Sequence, residues 1–453
     1  MKLQYSHCLA IAILLAAIYF VFPIPHTIAL RNLLTLALVV LLGVLWKRST
    51  ETGVKISHNP EIIMLGALTL WFVVQTSLWA VNRAFSFGEL AQEWGGTLLT
   101  AWMGYAIARR LPTMGEANYA VRLPAWIVLA LFAHTAWTLA YQAMQWVQTG
   151  HYHHGSTPYG DYAVLSTPIN MAFALLAADL ATRWLSDQRL FPWSNRIAWV
   201  LFTITVVGVA AVKARNGVIT AFVVLTLLAI LLIWREKYRQ IHRVILASLL
   251  ALVIAASLFA VNFRSDPRWA TFTESASLAV DTRTHKAWLD KQQYALPILR
   301  SGENVDSSAY DRIAWGKVAM DGIQSNPIGF GYGLGGFGRY IEAEYGKKDF
   351  VSSHSGILDF TLANGVPGLV LLLAFCLLLF RRGWLAWEAG NPWGLALMLT
   401  LANYFARIVL DGHFGSFRLK MVALLLGILY WLTINKQYHL RKTQFSNNQI
   451  NEG

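Results

Sequence analysis

Charge is the scarcest property of this sequence. Only 13% of its 453 residues are charged and 56% are hydrophobic, about half the charged share of an ordinary soluble domain. Such a composition belongs to a polytopic membrane protein. Cysteine is nearly missing too. Cys8 and Cys376 are the two present, each inside an apolar run, so neither a disulfide framework nor a cysteine-based metal site is available. No internal repeat of helical hairpins or broken-helix pairs is visible, which counts against a secondary transporter. The net charge of +13 would suggest nucleic acid in a soluble protein. Here the basic residues sit in short loops between apolar runs, where they set topology, and a nucleic-acid partner is rejected.

What is present is apolar helix. At about 20 residues per span, spans are expected near 8–28, 28–46, 62–81, 86–107, 122–146, 161–183, 193–212, 216–234, 243–262, 355–380, 393–410 and 417–434. The expected fold is all-α and polytopic, with about twelve transmembrane helices and one long loop domain. The expected organisation is 1–262 for the first nine spans, 263–354 for the loop domain, 355–434 for the last three spans and 435–453 for a polar tail. The N-terminal run is too long for a signal h-region and lacks a small-residue cleavage pattern, so it reads as a membrane helix. Placing both termini inside puts Lys47, Arg48, Arg109, Arg110, Arg183, Arg235, Arg381 and Arg382 in cytoplasmic loops. It leaves Arg83, Lys213 and Arg215 in the short outer ones. The long loop is then periplasmic.

Several residues could carry chemistry on that outer face. Arg215 follows a tight turn, Lys-Ala-Arg-Asn-Gly at 213–217, and stands beside a helix N-terminus. Two readings fit it: an arginine anchored at the headgroups, or an anion clamp whose guanidinium fork matches phosphate oxygens beside the positive end of a helix. His354 immediately precedes another outer helix start, whose dipole should disfavour imidazolium and keep the ring neutral. A neutral ring can accept a proton; the alternative is a polar residue at a helix end. Asp359 lies five residues on, and Gly365 with Pro367 should bend that helix.

Arg264, Arg268, Arg283, Arg300 and Arg312 lie on the loop. Most read as solvated surface charges, whereas Arg312 heads a helical stretch closed by Asn326-Pro327. The run Gly-Phe-Gly-Tyr-Gly-Leu-Gly-Gly-Phe-Gly contains a formal G-x-G-x-x-G at Gly331, Gly333 and Gly336. Without a strand and helix around it, close backbone approach is the better reading. His151, His153, His154 and Asp161 are too crowded in sequence to supply a metal set by themselves, and no metal or cofactor is assigned. Glu89 and Glu93 could pair with Arg31 or Arg83. Arg407, Asp411, His413, Arg418 and Lys420 cluster near the last outer turn, either flanking a cavity or satisfying one another.

The Ala-Arg-Asn-Gly turn, then Arg-Ile-Ala-Trp running into Asn-Pro and the glycine-rich stretch, then His-Ser-Gly-Ile-Leu-Asp-Phe-Thr-Leu-Ala-Asn-Gly-Val-Pro-Gly-Leu, resemble the O-antigen ligase and polymerase superfamily over about residues 210–370. Ser355, where asparagine is frequent, and Val366-Pro367 depart from the common pattern without removing a functional group. The resemblance implies a membrane glycosyltransferase of GT-C-like architecture. Its donor would be a glycan on undecaprenyl pyrophosphate, and the acceptor of a ligase would be a sugar hydroxyl of lipid A-core. It carries over Arg215 and Arg312 as pyrophosphate-binding positions and His354 as the catalytic one, in a bacterial inner membrane with the site periplasmic. A polymerase acting on lipid-linked repeat units, and a lipid-linked sugar transporter, are the alternatives.

Overall fold

The computed structural model describes residues 2–47, 59–110, 119–151, 156–159, 162–186, 188–212, 214–235, 241–265, 269–326, 333–412 and 416–435. The expected polar tail lies outside these, apart from Asn435. In chain order the helices are α1 (Lys2–Val21), α2 (Ile28–Lys47), α3 (Pro60–Trp79), α4 (Arg83–Glu89), a π-helical turn (Leu90–Gly95), α5 (Gly96–Arg110), α6 (Tyr119–Thr149), α7 (Tyr162–Ser186), α8 (Asn195–Ala211), α9 (Arg215–Arg235) and α10 (Ile241–Ser265). They continue with α11 (Phe272–Val280), α12 (Ser307–Ser325), α13 (Gly336–Tyr345), α14 (Gly356–Glu388), α15 (Trp393–Leu410) and α16 (Ser416–Ile434). Among the described residues the only β pairing is an isolated Ile298–Asn304 bridge, so the chain is an all-α polytopic membrane protein.

Eight helices of the described residues, namely α3, α6, α7, α9, α10, α14, α15 and α16, are long and apolar enough to cross a membrane. The apolar stretches of α1, α2 and α8 are shorter. The run expected at 86–107 is divided by the π turn into pieces of 7 and 15 residues. The first two expected spans touch at residue 28, whereas α1 ends at Val21 and α2 begins at Ile28. Pro23 and Pro25 cannot continue a helix, and Thr27 accepts the Arg31 Nε hydrogen bond at 3.0 Å to seat the new one.

The centre of the bundle is α7, the most buried of the candidate spans. Ala172, Ala174, Ala177 and Ala178 are all buried. Such small residues let helix backbones approach where lipid offers no hydrophobic drive for helices to associate. At the contact of α5 with α16, a Cβ on Gly104 would run into the Leu424 carbonyl and one on Gly427 into that of Ala101.

Residues 269–326 and 333–355 lie between spans and build a second core of Trp288, Leu299, Tyr310, Val318, Phe337 and Ile341, joined to the bundle through Leu362 of α14. α12 starts at Ser307, where Asp306 accepts the Ala309 N–H at 2.7 Å, so Arg312 lies within the helix rather than at its head as the sequence suggests; the helix ends on Asn326, as expected. α14 kinks at Gly365 (φ 68°, ψ 175°), two residues before Pro367. Proline leaves the carbonyl four residues earlier without its helical partner. That carbonyl, on Ala363, accepts from the Gly333 N–H at 3.1 Å, and the neighbouring Asn364 carbonyl accepts from Trp71 Nε1 at 2.8 Å. Gly333 and Gly336 of the glycine-rich run thus dock backbone to backbone on the kink, since a Cβ at Gly336 would meet the Ala363 nitrogen at 2.6 Å, whereas Gly335 faces Phe85 and Gly338 the Phe350 carbonyl. Gly331 lies outside the described residues.

Candidate active site

His354 occupies the last turn before α14 in a left-handed conformation, φ 60°, which costs a residue with a side chain about 1–2 kcal/mol. Neighbouring hydrogen bonds hold it there. Ser352 Oγ accepts the His354 N–H at 3.0 Å and donates to Asp359 Oδ2 at 2.6 Å. Asp359 Oδ1 accepts the Ser353 N–H at 2.9 Å. The carboxylate one turn into α14 therefore shapes the turn that presents the histidine. Behind it lies Gly412, where an added Cβ would strike the Ser352 side chain and sit 3.0 Å from His354 Cα.

The exposed side of the ring meets α12. Trp315 stacks on His354 with centroids 5.4 Å apart and planes at 12°, and its Nε1 donates to the Trp288 carbonyl at 3.0 Å. Arg312 sits one turn before Trp315, so the two share a helix face. Burial first, then the Arg312 guanidinium, hold the His354 pKa below the ordinary histidine value, and Asp411 pulls the other way. The ring is neutral near pH 7, as expected from sequence, with burial and Arg312 adding to the reason given there. Together with Asp290, Gln292, Lys347 and Asp349, His354 and Trp315 line an open cavity of ≈ 700 Å³.

Arg215 is the first residue of α9. Its guanidinium lies 5.7 Å from the centroid of the Trp269 ring. The next residue, Asn216, donates through Nδ2 to the Leu410 carbonyl at 2.8 Å. The following carbonyl, of Asp411, accepts the Gly356 N–H at 3.2 Å. The start of α9, the end of α15 and the start of α14 are thereby tied together, and Arg215 and His354 stand at the two ends of this tie.

Arg407 and Arg418 both reach Asp411 Oδ2, at 3.0 and 3.2 Å, so part of the C-terminal cluster is an ion group of two arginines on one carboxylate. Lys420 pairs instead with Glu93 at 3.3 Å. This differs from the partners suggested for the glutamates, because α5, which continues the π turn that carries Glu93, packs beside α16. Arg31 lies over Phe417, and Arg83 reaches the Leu78 carbonyl. Arg264, Arg283 and Arg300 are exposed, consistent with solvated charges. His153, His154, Asp161, Arg268 and His413 fall outside the described residues.

Sequence reasoning missed Trp315, Ser352, Asn216 and Gly412. Trp315 had a signal, its three-residue spacing from Arg312. The others acquire their roles only through contacts between distant segments.

Residues 199–373 match the family model described as O-Antigen ligase. The match runs from within α8 to within α14 and contains Arg215, Arg312 and His354. None of the curated proteins matches the chain.

Proposed function

We propose that this chain, whose residues 199–373 match the family model described as O-Antigen ligase, is a ligase. It moves a glycan from undecaprenyl pyrophosphate to a sugar hydroxyl of lipid A-core at the periplasmic face of the bacterial inner membrane. The observation that carries this reading is the arrangement of His354 against α12, with Arg312 acting on its charge and the Arg215 helix start tied to the same turn.

The chemistry follows from those groups. The neutral His354 ring accepts the proton of the acceptor hydroxyl as its oxygen attacks the anomeric carbon. The bond from that carbon to the phosphate oxygen breaks on the opposite face, inverting the configuration. The electron pair leaves with the pyrophosphate, whose charge Arg215 and Arg312 meet with planar forks. Fixed cations, Arg215 at a helix start and Arg312 within α12, supply this stabilisation without a divalent ion. The polyprenyl chain stays in lipid beside the spans.

Cells lacking the protein distinguish ligase from polymerase. The expected outcome is complete lipid A-core with long glycan stranded on undecaprenyl pyrophosphate, read by glycolipid electrophoresis and mass spectrometry. Core bearing a single repeat unit would assign the chain to the polymerase instead.

A further inference from the structure

A histidine base works only when its ring is held at the angle that brings a nitrogen to the hydroxyl proton. A third group ordinarily fixes that angle by accepting a hydrogen bond from the other ring nitrogen. Among the described residues, neither ring nitrogen of His354 has such a partner. The hydrogen bonds at this turn serve the backbone N–H groups of Ser353, His354 and Ser355, while Arg312 and Asp411 act on the ring only through their charge. What lies against the ring is the indole of Trp315, nearly parallel to it at 12°.

Trp315 is itself well fixed. Its Nε1 donates to the Trp288 carbonyl at 3.0 Å, and Phe350 meets it at 90° with centroids 5.9 Å apart. Phe350 rests in turn against Phe337, at 6.2 Å and 73°. Trp288 and Phe337 belong to the core built by the segment between spans. The backbone of His354, in contrast, is held from the bundle, through Ser352 by Asp359 of α14 and against Gly412 beyond α15. His354 therefore stands at a seam, where the spans set its backbone and the core between spans sets its ring plane.

We propose that Trp315 is the positioning residue of the transfer step, its indole plane taking the place of the hydrogen-bonding group that ordinarily orients a histidine base. It acts through His354 alone. The proposal rests on the reading of the chain as a glycan transferase with His354 as the base. The competing role for an indole beside a sugar-binding cavity is a platform for a sugar ring. The two separate kinetically, because a platform contributes to substrate binding and a positioning ring to the chemical step.

The experiment measures transfer from pyrophosphate-linked glycan to lipid A-core by the purified full chain in detergent. It compares wild type with Trp315→Leu, Trp315→Phe, His354→Ala and the double variant His354→Ala with Trp315→Leu. Leucine keeps apolar bulk but offers no ring plane, and kcat should fall about tenfold, the upper end of what one aromatic stack contributes, with both KM values kept. Phenylalanine, which restores a plane without the Nε1 donor, should recover most of that loss. In the His354→Ala background leucine should lower the residual rate no further, since nothing remains to be positioned. Carbethoxylation of His354 by diethyl pyrocarbonate, located by peptide mass spectrometry, reads the stack without any transfer. It should be faster in Trp315→Leu and near wild type in Trp315→Phe. Circular dichroism melting checks folding, and Trp315→Met, an adaptable apolar side chain, stands in if the leucine variant does not fold. A raised KM with kcat kept, or a further loss in the His354→Ala background, overturns the proposal in favour of a sugar platform. Wild-type kcat or an unaltered modification rate in the folded leucine variant overturns it outright. Faster modification in that variant, with no transfer by wild type, supports the hold of Trp315 on His354 and contradicts the transferase reading instead.

Discussion

His354→Ala should lower the rate of glycan transfer by about 10²–10⁴-fold, the contribution of a positioned general base. The side chain is half-buried and its removal leaves the turn's hydrogen bonds to Ser352 and Asp359 in place, so the protein should remain folded in the membrane. Alanine also retains the left-handed strain at this position. The pH profile is a further readout. A base must be deprotonated, and burial together with Arg312 lowers the pKa of His354. Transfer should therefore be flat through neutral pH and fall on acidification only below the ordinary histidine range. An alanine variant with wild-type rate, measured at saturating donor and acceptor, would reduce His354 to a structural role.

Arg312→Ala and Arg215→Ala should each cost about 10²–10³-fold in kcat/KM for the pyrophosphate-linked donor, as removal of one preorganised charge stabiliser does. Lysine should restore only part of this, because a point charge cannot reproduce the two-pronged hydrogen bonding of guanidinium. The two losses need not add, since both act on one leaving group. Arg312→Ala carries a second signature absent from Arg215→Ala: removing the cation that depresses His354 should move the acidic limb of the pH profile upward. Unchanged donor saturation in both alanine variants would make these residues anchors at the membrane surface.

The C-terminal end of α12 and the Gly365 kink were legible because local rules govern them: an asparagine before a proline, and a glycine close to another proline; the start of α12 was misplaced because the Asp306 cap was not recognised. Pro23 and Pro25 carried the same kind of signal, and apolar length alone hid it. The partners of Glu93 and Asp411 were not legible. Glu93 meets Lys420 from the far end of the chain, and Asp411 joins α15 to α14 through its carbonyl while its carboxylate holds two arginines. Such contacts follow from which helices pack together, and no local pattern encodes that choice. His354 shows the difference most clearly. Its place before a helix was readable, but the turn that Asp359 and Ser352 impose on it, and the Trp315 ring over it, required the fold.

The most direct measurement combines the purified chain in detergent with undecaprenyl-pyrophosphate glycan and lipid A-core, and follows the products by mass spectrometry. The expected result is one new glycolipid, glycan joined to lipid A-core with inverted anomeric configuration, formed with release of undecaprenyl pyrophosphate and only when both substrates are present. Lengthened lipid-linked glycan with lipid A-core unused would contradict the ligase assignment in favour of a polymerase. No new glycosidic bond, with labelled donor crossing vesicles that contain only this protein, would contradict catalysis altogether.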